Sequence, residues 1–171
     1  MELDELCKLI ESLLFVSDGP LDVPRLQRIL EVERNELERA LETLSVQCRE
    51  RGVRLQRHGE AVQAVTAPEA GPYVEKLLGV QQSSKLSPAA LETLAIVAYE
   101  QPITRAGIEA IRGVNSDRAL STLQARGLVA EVGRMDAVGR PVLFGTTFEF
   151  LQYFGLESKD QLPPLQGDSE T

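Results

Sequence analysis

Tryptophan is absent from this chain of 171 residues, histidine occurs once and cysteine twice. His58, Cys7 and Cys48 together fall short of the four Cys or His ligands that an ordinary structural zinc site takes. Both cysteines sit inside helical patterns, as buried free thiols or as a Cys7–Cys48 disulfide, and a reducing compartment favours the thiols. No run approaches the ~20 apolar residues that cross a bilayer, and the opening Met1-Glu2-Leu3-Asp4-Glu5 is acidic where a signal peptide is basic. A cytoplasmic protein without membrane contact is the expectation. Basic residues are the minority, 18 against 26 acidic, so the net charge of −8 repels nucleic acid at long range.

Catalytic constellations are missing too. No G-x-x-x-x-G-K-[ST] phosphate loop occurs, and His58 stands beside Gly59 as a solvated turn residue rather than a base. The carboxylates between Glu31 and Glu50 alternate with arginines, as on a solvated helix face. No enzyme, no metal and no cofactor are expected.

What is present is periodicity. Leu3, Leu6, Ile10, Leu13 and Leu14 form one apolar stripe on a helix over 3–16, which Asp18-Gly19-Pro20 stops. Asp22 as N-cap and Pro24 in the first turn open a short second helix with Leu26, Ile29 and Leu30. Asn35 reads as the cap of a third, carrying Leu37, Leu41, Leu44 and Cys48 as far as Gly52. Val53, Leu55 and Arg57, then a His58-Gly59-Glu60 turn, then Val62, Ala64 and Thr66 predict a hairpin. A helix with Tyr73, Val74, Leu77 and Leu78 closes the unit.

The pattern then starts again. Ser87 with Pro88 opens a helix holding Leu91, Leu94, Ala95 and Ala98, and Glu100-Gln101-Pro102 breaks it. Thr104 caps a second helix ending at Gly113, and Ser116 caps a third ending at Gly127. Leu128–Val132 and Val142–Thr146 predict strands around a tip from Gly133 to Pro141, and Thr147 caps a closing helix. At an offset of 82, Pro20, Leu21, Leu26 and Ile29 fall on Pro102, Ile103, Ile108 and Ile111. At 75, Arg51-Gly52-Val53 falls on Arg126-Gly127-Leu128. Three helices and a hairpin, twice, describe a mainly helical fold with small β-wings: two tandem winged-helix domains at 1–79 and 87–155. A linker at 80–86 joins them, and a partly disordered tail follows at 156–171. Domains of about 80 residues bury only about 60% of their unfolded surface, which makes self-association a plausible source of stability.

A helix-turn-helix invites a DNA-reading alternative, a winged-helix transcription regulator. Residues 1–80 carry ten Lys or Arg against fifteen Asp or Glu, so the first domain is a poor reader. Residues 105–140 carry six arginines against four acids, a mild patch. Five of the chain's eight aromatics, Phe144, Phe148, Phe150, Tyr153 and Phe154, crowd into eleven residues. They either line a groove for a partner segment or form a core under the wing.

Three stretches, LSPAALETLAIVAYEQPITRAGIEAIRGVNSD, GLVAEVGRMDAVGRPVLFGTT and FLQYFGLESKDQLPPL, resemble the segregation and condensation protein B family. The first half matches in layout only. The resemblance implies a non-enzymatic subunit of a bacterial condensin, acting in chromosome condensation and partition. There a structural-maintenance-of-chromosomes ATPase is closed into a ring by a kleisin, segregation and condensation protein A. It also implies a homodimer made by the first domain, a kleisin grip to which the second domain contributes, nucleoid association only through the complex, and no strong DNA binding alone. Matching residues are Arg112, Gly113, Val114, Ser116 and Asp117 at the helix turn and Gly139, Arg140 and Pro141 at the wing. For Arg112, Asp117 and Arg140, a contact bracing the wing competes with partner binding, and Asn115 lies in the same turn. With Phe144 and Tyr153 these are the candidate partner-binding residues.

Overall fold

The structure is a computed structural model that describes residues 1–79 and 85–165. Residues 80–84 of the expected linker and 166–171 of the expected tail lie outside the described residues. The chain divides into two units, one of Met1–Gln81 with Gly155–Thr171 and one of Gln82–Phe154.

The first unit runs α1 (Leu3–Val16), β1 (Leu21–Asp22), α2 (Val23–Leu30), α3 (Arg34–Cys48), β2 (Val53–His58), β3 (Ala61–Thr66), a 3₁₀ turn at Pro68–Ala70 and α4 (Gly71–Leu78). The strands form an antiparallel sheet in the order β1-β3-β2, with Leu21 opposite Val62 and Leu55 opposite Ala64. The predicted stripe of α1 becomes the core: Leu6 and Ile10 are fully buried and pack with Leu26, Leu37, Leu44 and Val62. Burial of each such side chain contributes about 1.5–3 kcal/mol. Cys7 and Cys48 are free and buried, and Cys7 donates to the Ala40 carbonyl at 3.4 Å. Desolvation pushes both thiols up from their ordinary pKa.

Two details depart from the sequence reading. Asn35 is not the cap of α3: the Leu37 amide already bonds the Glu33 carbonyl at 3.0 Å, which places the N-cap at Glu33 and Asn35 inside the helix. And α4 forms where expected but buries none of its side chains, leaving Tyr73, Leu77 and Leu78 exposed.

The second unit repeats the plan with α5 (Pro88–Glu100), β4 (Ile103–Thr104), α6 (Arg105–Arg112), α7 (Asp117–Ala125), β5 (Val129–Arg134), β6 (Val142–Thr146) and α8 (Phe148–Phe154). Its sheet order, β4-β6-β5, is that of the first unit. Three of the predicted caps close as hydrogen bonds: Ser87 accepts from the Ala90 amide, Thr104 from Gly107 and Thr147 from Phe150. Gly113 ends α6 in the left-handed region at φ 74°, which a side chain rarely adopts. Leu94, Val97, Ile108, Leu123, Phe150 and Leu151 are among its buried residues. Both units are winged helices.

The segment read as the start of a tail is ordered structure. Gly155–Leu165 belongs to the first unit, where Leu156, Glu157 and Ser158 are half-buried against α3 and β2.

Candidate functional site

The turn between α6 and α7 gathers three of the candidate residues, Arg112, Asn115 and Asp117. Arg112, the last residue of α6, has a side chain only 7% exposed. Its Nε donates to Glu92 on α5 at 3.0 Å, and its Nη1 donates to the Ser116 hydroxyl at 3.0 Å and the Asn115 carbonyl at 3.3 Å. Ser116 is fully buried, and its amide donates to the Glu109 carboxylate at 2.9 Å. One guanidinium thus joins three helices at the point where Gly113 reverses the chain.

Asp117 takes a different partner from the one expected. Its carboxylate accepts from Arg105 at 2.6 Å and from the Asn115 amide at 3.1 Å, and its own amide donates to Asn115 at 3.1 Å. The reason is geometric: Arg112 turns inward to Ser116, and Asp117 opens α7 on the solvent side, where Arg105 at the start of α6 reaches it. The hydrogen bond from Asn115, then that from Arg105, hold the Asp117 carboxyl below the usual carboxylate range. These hydrogen bonds and ion pairs of Arg112 and Asp117 run between α5, α6 and the start of α7, so the brace lies between helices. Arg140 sits at the wing tip with φ 41°, next to Gly139 at φ 79°. Its carbonyl accepts from Arg134 at 3.1 Å and its amide donates to Ala137 at 2.9 Å, backbone contacts that close the wing tip.

The aromatics separate by position. Phe144, 8% exposed, lies on the central strand β6 opposite Ile103 on one side and Glu131 on the other, and serves the core. Phe150 is buried with it. Tyr153 and Phe154, more than 40% exposed, meet edge to face at 5.0 Å between ring centroids and leave an open aromatic surface on α8. Sequence reasoning missed further open apolar residues of this unit, Ile111, Val114, Val132 and Val138. Their signal was available as apolar residues off the buried stripe.

Two of the six arginines in residues 105–140 are paired within this unit. Arg105 is bound to Asp117 and Arg112 to Glu92, which leaves the patch of residues 105–140 weaker than its count.

On the first unit, Phe15 at the end of α1 is 89% exposed and Leu77 on α4 is 84% exposed, with Val16, Tyr73 and Leu78 also open. These open apolar side chains lie at the end of α1 and on α4. Glu38 on α3 accepts from Arg57 on β2 at 2.9 Å, and that hydrogen bond holds its carboxyl below the usual range. No helix among the described residues is long and apolar enough to cross a membrane.

The model of the segregation and condensation complex subunit ScpB matches residues 8–165. A segregation and condensation protein B from Geobacillus kaustophilus is 49% identical over 170 residues, covering 95% of this chain and 78% of its own length. One from Clostridium botulinum is 47% identical over 160 residues, covering 92% and 83%. A crystal structure of a dimer of the ScpB N-terminal domain complexed with ScpA peptide is 33% identical, covers 44% of this chain and 96% of that one, and has a TM-score of 0.42. With a match that runs from α1 to the last described residue, the chain belongs to the segregation and condensation complex subunit ScpB family.

Proposed function

We propose that this protein is the non-enzymatic companion of the kleisin segregation and condensation protein A, and acts through it on a structural-maintenance-of-chromosomes ATPase in chromosome condensation and partition. The observation that carries the reading is the family match across residues 8–165, both winged helices included. The surfaces agree with a protein that works by contact. Phe15, Val16, Tyr73 and Leu77 supply an apolar face for a second copy through the first unit. Tyr153 and Phe154, with Ile111 and Val114, supply apolar anchors for a kleisin segment on the second. Of the candidate residues, Tyr153, exposed on α8, is the one we assign to that contact. Arg112, Asn115 and Asp117 hold the turn from which Val114 projects.

A DNA-reading winged helix is not favoured, because Arg105 and Arg112 are tied to carboxylates and α3 carries Glu36, Glu38 and Glu42. The test is isothermal calorimetry of the purified protein against the kleisin of its own organism and, separately, against duplex DNA over a salt series. Kleisin binding with no steep salt-dependent DNA binding supports the reading. Tight, salt-steep DNA binding without kleisin affinity overturns it.

A further inference from the structure

The α3–β2 face of the first unit carries a segment from the far end of the chain. Strand β2 is an edge of its sheet, and an edge strand offers unpaired backbone groups to any extended chain laid beside it. Here the Arg57 amide donates to the Glu157 carbonyl at 2.8 Å, and the Gln56 side-chain amide donates to the Leu156 carbonyl at 2.8 Å. Gln56 is a polar residue 2% exposed, and its other amide atom accepts from Gln63 at 3.1 Å, so the strap completes its hydrogen bonding. The strap is shaped for the seat by its own turn, in which the Glu157 amide donates to the Gln161 side chain at 2.7 Å. The Glu157 carboxylate lies 3.9 Å from Arg54 and 3.5 Å from the Ser45 hydroxyl.

The rest of the seat is loose. Between the strap and α3 lies a cavity of about 390 Å³ lined by Glu42, Ser45, Val46, Arg49, Ser158 and Gln161. The segment is therefore held along the sheet edge by Gln56, Arg57 and Arg54, and more lightly along the helix, through Ser45.

We propose that Leu156–Gln161 is a releasable latch: a short, carboxylate-bearing segment of the chain itself, ending in a 3₁₀ turn at Lys159–Gln161 and seated on an edge-strand site of the first unit. Residues 82–154 lie in the sequence between the body of the first unit and this latch. Seated, the latch covers the outer edge of β2. Released, it exposes Gln56, the Arg57 amide and the cavity as a site for a peptide of the same chemistry.

The test uses the full chain and a Glu157→Ala/Gln161→Ala double variant, which alters only half-buried or exposed strap side chains. Hydrogen exchange is read at the Arg57 amide and at the Leu37 amide, which bonds within the first unit's body, and a fluorescent peptide of residues 155–165 is titrated into both proteins. The expected result is Arg57 exchange faster by about tenfold or more in the variant, with Leu37 unchanged, and peptide binding to the variant but not to the wild type. Two results overturn the latch. Unchanged Arg57 exchange with no peptide binding shows a strap fixed in place. Joint acceleration of Arg57 and Leu37 shows a strap inseparable from the core.

Discussion

Replacing Arg112 with alanine separates the bracing role from partner contact. The side chain makes three hydrogen bonds, and their values differ because their partners differ in exposure. Glu92 has a carboxylate more than half exposed and rehydrates when its partner leaves, so that ion pair accounts for no more than about 1 kcal/mol. Ser116 is fully buried, and a hydroxyl stranded there costs about 1–3 kcal/mol. The two together predict a loss of about 1–4 kcal/mol. A unit of about 70 residues commands only about 4–11 kcal/mol. With no tryptophan as a probe, the assay is native-state hydrogen exchange at the Gly113 and Leu120 amides, which bond the Glu109 and Ser116 carbonyls on either side of the turn. Glu92→Ala should cost less than about 1 kcal/mol, and Arg112→Lys should not rescue, since one ammonium cannot span three acceptors set for a planar fork. A loss under about 0.5 kcal/mol at both amides, with kleisin affinity gone, would refute the brace and make Arg112 a contact residue.

Phe15→Glu and Leu77→Glu, both on open side chains, should turn a dimer into a monomer in analytical ultracentrifugation without changing the circular dichroism. Tyr153→Ala should weaken kleisin binding by about 2 kcal/mol or more and leave stability alone, whereas Phe144→Ala should cost about 3–5 kcal/mol of stability. Calorimetry and urea unfolding read the two separately. Glu38 has a folded pKa below its unfolded one, so its contribution is present above the ordinary glutamate value of about 4.3 and is lost as pH falls through the lowered value. Arg57→Gln, which removes the largest cause, should make first-unit stability fall less steeply over that acid range in a dichroism titration. The isolated protein should bind duplex DNA no better than about 10⁻⁴–10⁻⁶ M, and nanomolar binding in a gel shift would contradict the internal pairing of Arg105 and Arg112.

The winged helices were legible because their determinants are local. The α1 stripe, the caps at Ser87, Thr104 and Thr147, and the glycine at 113 each act within a few residues of their effect. The offset of 82 between Pro20 and Pro102 carried the same reading across both units. The candidate site was legible only in outline. Arg112 stood out, but Glu92 lies twenty positions away on another helix, and nothing in the composition of either stretch pairs them. Counting aromatics could not separate Phe144 from Tyr153, because the division depends on β6 being the central strand. The strap was illegible for a plainer reason: β2 grips the carbonyls of Leu156 and Glu157, which any residues would present. Its one trace was Gln56, a polar side chain in a strand that the hairpin pattern left unplaced.

Because residues 155–165 finish the first unit, synthesis imposes an order on assembly. About 80 residues separate Leu78 from Leu156, and at roughly 5–20 residues per second the ribosome takes about 4–16 s to deliver them. Throughout that interval the nascent first unit carries β2 with its outer edge bare, beside other nascent chains bearing the same edge. Arg54 and Arg57 stand on that strand, and charged side chains on a bare edge discourage sheet-to-sheet pairing between copies. Arg54, which meets Glu157 only when the strap arrives, and Arg57, already paired with Glu38, thus guard the edge until its own cover is made.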